Sequence, residues 1–316
     1  MTRKYEELRT EKYSELVWSG RDEKYINVKL SRINLKRHNV KLYIEVSLTC
    51  CEKKIMISSD RAISFEELYM YLGSVRRYEY LFDGTFYKMK SCIADGKDVT
   101  ETLLEIETGY FRYSKYGARL LINISDKDYT RFFRNWLIAE QRLGIINQMM
   151  LYADNIPHLT ADIRLAMVAE TYEAFAKLLE KLGEIRIAKE PTVYKEIICQ
   201  NCSYKNQIPI KGRKTLKGCL TAVIDKYGKI VFSTEFRRRR RLIKKIVKTR
   251  NKVFHVNRRQ SDVLASNSLG FYVIKLNLLY RYIILNMIGV KKETLDRSFS
   301  GIVSKYERKF PNCIFK

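Results

Sequence analysis

Residues 164–182 read RLAMVAETYEAFAKLLEKL. Leu165, Val168, Tyr172, Phe175, Leu179 and Leu182 alternate steps of three and four, which is one apolar seam along an α-helix. A second line, Ala166, Ala169, Glu173 and Ala176, consists of small residues around one carboxylate, so another helix can approach closely there. Such a helix is stable mainly through packing against partners, and the sequence on both sides supplies them. Upstream, Tyr129, Phe132, Phe133, Trp136, Leu137, Leu143 and Ile146 recur at helical spacing from Asp126, with Pro157 ending that segment and Thr160 capping the next. Downstream, helices are expected at about 236–256 and 266–288, the latter with Leu269, Val273, Leu276, Tyr280, Ile283 and Met287 in register. Four helices of this kind predict an antiparallel bundle. An irregular insert with Pro191, Cys199, Cys202, Pro209 and two glycines separates the second from the third.

The N-terminal part has a different period. Val40, Leu42, Ile44, Val46, Leu48 and Cys50 are apolar at every second position, with Lys41, Glu45, Ser47 and Thr49 in the other phase, so 25–59 reads as strands of a sheet with one buried face. Ser64 and Glu67 then form a capping box, with Ile63 and Leu68 as hydrophobic staple, so a helix opens at Phe65 and runs to about Phe82. Gly84, Gly96 and Gly109 mark turns, and 118–124 reads as a further strand. The expected fold class is α+β, a β-rich, mixed N-terminal domain over 1–125 and an all-α helical domain over 126–316.

The chain has 316 residues, with 60 Lys plus Arg against 35 Asp plus Glu, a formal charge of +25, and 46% apolar residues. That is enough apolar residue to build a core, and the charge attracts polyanions. Nucleic acid, anionic membrane or an acidic protein become the candidate ligands, and small neutral metabolites poor ones. The first thirteen residues, MTRKYEELRTEKY, lack the apolar stretch of a secretory signal. The most apolar segment, 271–290, is interrupted by Lys275, Asn277, Arg281 and Asn286, which predicts a buried helix rather than a membrane span. Seven cysteines without a regular framework point to a reducing, cytoplasmic location. No P-loop, GxGxxG or GxSxG is present, and the carboxylates do not cluster as in a two-metal nuclease.

The functional reading turns on residues 235–255, EFRRRRRLIKKIVKTRNKVFH, where ten of the sixteen positions from Arg237 to Lys252 are basic. In helical phase, Arg241, Lys244, Lys245, Lys248 and Lys252 lie on one side, and Ile243, Ile246, Val247, Val253 and Phe254 on the other. Arg250 falls on the line of Ile246 and Val253, Asn251 on the line of Val247 and Phe254, and His255 follows Asn251 by one turn. Polar groups at such core-facing positions need partners, because burial without one costs a few kcal/mol each. A ligand phosphate is one candidate partner. The plainer alternative is that Arg250 pairs with Glu173 and His255 is a satisfied core imidazole.

The segment 249–255, TRNKVFH, resembles the RNxxxH signature of HEPN-domain ribonucleases, and more narrowly the chain resembles the ApeA-like HEPN proteins. The segments FEELYMYLGSVRRYEYLFDG (65–84), FFRNWLIAEQRLGIINQMMLY (132–152) and RLAMVAETYEAFAKLL (164–179) are similar to helices preceding that signature, so the resemblance spans Ile63 to Glu293. Two departures stand out: the N-terminal region is shorter than the β-rich domain of those proteins, and Ala176 stands where they often carry a histidine.

The resemblance implies a HEPN-type helical domain that works as a homodimer, cuts RNA without metal or other cofactor, and serves antiphage abortive infection, with tRNA anticodon loops as substrate, a phage-derived activator and no membrane involvement. Its catalytic residues would be Arg250, Asn251, His255 and Glu173. An imidazole exchanges protons near neutral pH, so His255 suits activation of a ribose 2′-hydroxyl or protonation of the leaving oxygen. A guanidinium stabilises charge on the transferring phosphate, and Asn251 orients phosphate or imidazole. Arg241, Lys244, Lys245, Lys248, Lys252, Arg258 and Arg259 would hold the RNA backbone, and Tyr227, Phe232 and Tyr272 are candidates for base stacking, though core positions suit each of them better. The other readings are a catalytically silent basic RNA-binding scaffold and a DNA-binding regulator. Cys199, Cys202 and Cys219 are the weak zinc candidates, with free buried thiols as the alternative; His38 and His158 read as surface residues.

Overall fold

A computed structural model describes residues 9–10, 13–19, 26–29, 33–35, 40–48, 52–59, 63–84, 86, 88–94, 97–101, 120, 126–153, 159–190, 193–198, 205–210, 212–255 and 261–315. The chain is α+β: a strand-rich N-terminal part is followed by helices. It divides into two compact units, one of Met1–Asn147, Asn155–His158 and Arg281–Ile302, the other of Gln148–Asp154, Leu159–Tyr280 and Val303–Lys316.

In the first unit the described strands are β1 (Arg9–Thr10), β2 (Tyr13–Ser19), β3 (Ile26–Lys29), β4 (Ile33–Leu35), β5 (Val40–Leu48), β6 (Glu52–Ser59), β7 (Ile63–Ser64), β8 (Lys88–Ala94) and β9 (Lys97–Asp98). Seven of them form an antiparallel sheet in the order β3-β5-β6-β2-β8-β9 with β4 also on β5, while β1 pairs with β7. The alternating stretch from Val40 is β5, in register with β6 through Ile44 opposite Ile57. The earlier β2 lies between β6 and β8. The expected strand at 118–124 lies outside the described residues except for Leu120, which is buried, as do the expected turns at Gly96 and Gly109.

Helix α1 (Phe65–Asp83) begins where its capping box requires. The Glu67 amide donates to Ser64 Oγ and the Ser64 amide to Glu67 Oε2, and Gly84 closes the helix in the left-handed conformation at φ 69°. Arg281 meets the same helix end, its Nε and Nη2 each donating at 3.0 Å to Leu81 O and Phe82 O, two carbonyls without a partner inside the helix. The segment expected as one helix from Asp126 is two, α2 (Asp126–Leu143) and α3 (Ile145–Tyr152), because Gly144 takes φ 50° between them. Trp136 on α2 is fully buried and its indole donates to Ser74 O.

The second unit is built around α4 (Ala161–Lys181). Its seam is Leu165, Val168, Tyr172, Phe175 and Leu179, all buried, and the small line beside it buries Ala166, Ala169 and Ala176. Thr160 is the N-cap, though its hydroxyl bonds Asp162 in place of a backbone amide. Helix α4 packs on α5 (Leu216–Tyr227) and α6 (Arg239–Phe254), which also pack on each other. Two features of the insert differ from expectation. β10 (Val193–Ile198) and β11 (Lys205–Ile210) form an antiparallel hairpin with Pro209 opposite Tyr194; among the described residues both are edge strands, the position where proline is tolerated. Helix α5 includes Gly218, where an added Cβ would lie 3.2 Å from Ala188 O, so this glycine serves a close backbone approach.

Helix α7 (Leu269–Met287) follows a 3₁₀ turn at Ser266–Ser268. The span 266–287 is long and apolar enough to cross a membrane by length and composition, and 89% of its apolar stretch is buried inside the protein. Lys275, Asn277 and Arg281 are matched within the fold. Asn277 donates to Met150 O, at the end of α3, and Lys275, 1% exposed, donates to both oxygens of the fully buried Glu235 at 2.8 and 2.7 Å and to Glu307 at 2.7 Å. Tyr272 Oη donates to Glu235 as well. Helix α8 (Lys292–Lys309), which carries Glu307, buries Leu295, Phe299 and Val303 at steps of four.

Candidate active site

Helix α6 fixes the candidate site through its own phase. Leu242, Ile243, Ile246 and Thr249 are its buried side, and Thr249 Oγ1 donates back to Lys245 O while accepting from the Leu264 amide. Toward the C-terminal end of α6 the expected apolar line leaves the core: Val247 and Val253 are half-buried and Phe254 is 45% exposed. Arg250, Asn251 and His255 therefore do not project into a closed bundle interior. They sit at the C-terminal end of α6, with Arg250 and Asn251 half-buried and His255 exposed as the C-cap, so the site is open to a ligand.

Arg250 is the hub. Its Nε donates to Glu170 Oε2 at 2.7 Å, and Nη2 meets the same carboxylate. Its Nη1 donates to Asn251 Oδ1 at 2.9 Å and lies 3.3 Å from His255 Nε2. A guanidinium has donors only, so a hydrogen bond in that contact requires Nε2 as the acceptor. The Phe254 ring packs 5.4 Å from the Arg250 Cζ. The His255 amide is bonded to Asn251 O, which fixes the backbone between the two.

The plainer alternative pairs Arg250 with Glu173; in the structure the carboxylate on Arg250 is Glu170, one turn earlier on α4. Glu173 accepts from Lys177 at 2.6 Å, and this hydrogen bond raises the Lys177 pKa. Glu170 meets Arg250 of α6, whereas the charge of Glu173 acts on Cys219 of α5, and the way α4 sits against those two helices, which sequence spacing does not fix, decides between them. Nothing in the sequence singled out Glu170.

On the basic face, Arg241, Lys244 and Lys252 are exposed, and Lys245 and Lys248 are half-buried. Lys245 and Lys248 both engage Asp262, at 3.2 and 2.9 Å, and the paired ammonium groups hold the Asp262 carboxyl down to about 2. Arg258 and Arg259 lie outside the described residues. The stacking candidates are core residues: Phe232 and Tyr272 are fully buried, and Tyr227 is buried with its hydroxyl donating to Glu184.

Cys219 is a free, buried thiol on α5, and burial pushes it up to about 11, so it is protonated at neutral pH. Cys199 and Cys202 lie outside the described residues, as do His38 and His158. Among the described residues, no three His, Cys, Asp or Glu side chains are grouped to hold a metal ion.

The family model for Apea-like HEPN matches residues 166–294. These residues form an Apea-like HEPN domain. The matched stretch contains Glu170, Glu173, Arg250, Asn251 and His255, and it does not reach the 65–84 and 132–152 segments for which a resemblance was also expected. At the level of the family, a HEPN domain of this kind goes with ribonuclease-type function in abortive infection. No curated protein and no solved structure matches the chain.

Proposed function

We propose that the protein is a metal-independent endoribonuclease of antiphage abortive infection, acting in the cytoplasm on RNA, with tRNA anticodon loops as the preferred substrate. The observation that carries this reading is the convergence of Asn251 and His255 on the Nη1 of one guanidinium, itself anchored through Nε and Nη2 by Glu170. A guanidinium held at one edge by a carboxylate keeps Nη1 in place, so that a substrate phosphate can take Nη1 in exchange for Asn251 and His255, which is the preorganisation that charge stabilisation at a phosphate requires.

In the proposed reaction the ribose 2′-hydroxyl loses its proton to an imidazole and attacks the adjacent phosphorus. The bond to the 5′-oxygen breaks, and that oxygen takes a proton, leaving a 2′,3′-cyclic phosphate and a 5′-hydroxyl. Arg250 and Asn251 bind the phosphate oxygens as charge builds on them. The motif supplies one histidine, so a symmetric homodimer furnishes both base and acid. The exposed Phe254 beside Arg250 offers apolar surface for the second copy. A phage-derived activator fits an enzyme that must stay quiet before infection.

The test is a matched pair of substrates, one RNA and the same sequence as DNA. The proposal predicts cleavage of the RNA alone, because DNA lacks the nucleophile. Equal cleavage of both would remove it.

A further inference from the structure

Two of the chain's own side chains rest on the basic face of α6, and their chemistry is that of a nucleotide. Asp262 places a carboxylate between Lys245 and Lys248, at 3.2 and 2.9 Å. Phe315 places an aromatic ring against Arg241 and Lys245, with its centroid 5.5 Å from the guanidinium carbon and 5.7 Å from the ammonium. Lys245 is common to both, so an anion and a flat ring meet around one cation. Each occupant is also held in position. Asp262 takes the left-handed conformation at φ 59°, two residues before Leu264, whose amide is bonded to Thr249. The Phe315 amide donates to Tyr272 Oη at 2.8 Å.

We propose that Arg241, Lys245 and Lys248 form a nucleotide subsite for the RNA, with a phosphate between Lys245 and Lys248 and a base on Arg241, and that Asp262 and Phe315 fill it until RNA displaces them. This rests on the ribonuclease reading. Phosphate is a stronger partner for lysine than an exposed carboxylate, since its binding also releases counterions from the nucleic acid. Guanidinium planes stack on bases as they do on phenyl rings. Exposed ion pairs contribute little stability, so the self-contacts are weak enough to exchange, and while in place they lower the affinity for chance RNA.

The test uses the full chain in the His255→Ala background, which binds without cutting, and reads fluorescence anisotropy with a short fluorescein-labelled oligouridylate. Asp262→Asn keeps the backbone conformation, because asparagine tolerates positive φ, and frees both lysines. It should bind about threefold tighter or more. Phe315→Ala should also bind tighter, and the double variant tighter than either. Glu190→Gln, an exposed carboxylate elsewhere in the same unit, removes the same charge and should leave affinity at the parent value. Binding by the parent with no gain in Asp262→Asn over Glu190→Gln, or weaker binding by Phe315→Ala, overturns the subsite alone. No binding by any form overturns the RNA reading together with it.

Discussion

Arg250 donates from Nε to Glu170 at 2.7 Å, while Glu173, one turn further along the same helix, accepts from Lys177. The two carboxylates differ by three residues and have different partners. On the ribonuclease reading, Glu170 has the geometry of a positioning residue, acting through Arg250. Glu170→Gln leaves a neutral acceptor for a guanidinium, and Arg250 then drifts from the position that holds Nη1 toward Asn251 and His255. The expected result is a fall in kcat of about 10- to 100-fold, as for other displacements of a positioned group, with KM and thermal midpoint little changed. Glu173→Gln should leave kcat within about twofold of the parent. Steady-state kinetics on the same RNA separates the two, and an equal loss in both variants would contradict the assignment.

The buried triad of Lys275, Glu235 and Glu307 gives a stability prediction. Lys275 is 1% exposed and Glu235 fully buried, so Lys275→Ala leaves a carboxylate in the interior with its counter-charge gone. The expected cost is about 3–5 kcal/mol, measured as a shift of the urea midpoint. The Tyr272 hydroxyl remains on Glu235 and softens this only slightly.

Asp262 supplies a pH prediction with a definite sign. Its carboxyl is held down to about 2 by Lys248 and Lys245, so the folded pKa lies below the unfolded one. The contact's contribution to stability is therefore fully present above about pH 4, the ordinary range of an aspartate, and is lost as pH falls toward 2. The Asp262 carboxyl carbon, followed by NMR, should not titrate between pH 7 and pH 4. Replacing both Lys245 and Lys248 by methionine should raise its midpoint to about 4.

Cys219 should resist alkylation. A thiol pushed up to about 11 by burial has almost no thiolate at pH 8, and thiolate is the reactive form. Iodoacetamide on the folded protein at pH 8 should leave the Cys219 peptide unmodified, while the half-buried Cys313 reacts. In denaturant both should react.

Much of this architecture is legible in the sequence. The Ser64 and Glu67 pair locates the start of α1 because a capping box is a local bond pattern, and the seam of α4 is readable because helical spacing alone decides which residues share a face. Other parts depend on distant groups. Gly218 and Pro209 read as breakers, yet one lies within α5 against Ala188 and the other pairs in a hairpin, since their neighbours come from elsewhere in the chain. The break at Gly144 needs only one residue at positive φ, which an apolar period running across it hides. At the site, Arg250, Asn251 and His255 are visible as a motif on one helix. Their exposure, the choice of Glu170 over Glu173, and the contacts of Asp262 and Phe315 with the basic face are set by how separate segments pack.

The most direct test of the ribonuclease assignment compares the wild-type protein with His255→Ala on total bacterial tRNA in excess EDTA, with the cut ends mapped, both in buffer and in extract from phage-infected cells. The account predicts discrete fragments ending in 2′,3′-cyclic phosphate from the wild type alone. Equal fragments from both proteins, or none from the wild type under either condition, would contradict it.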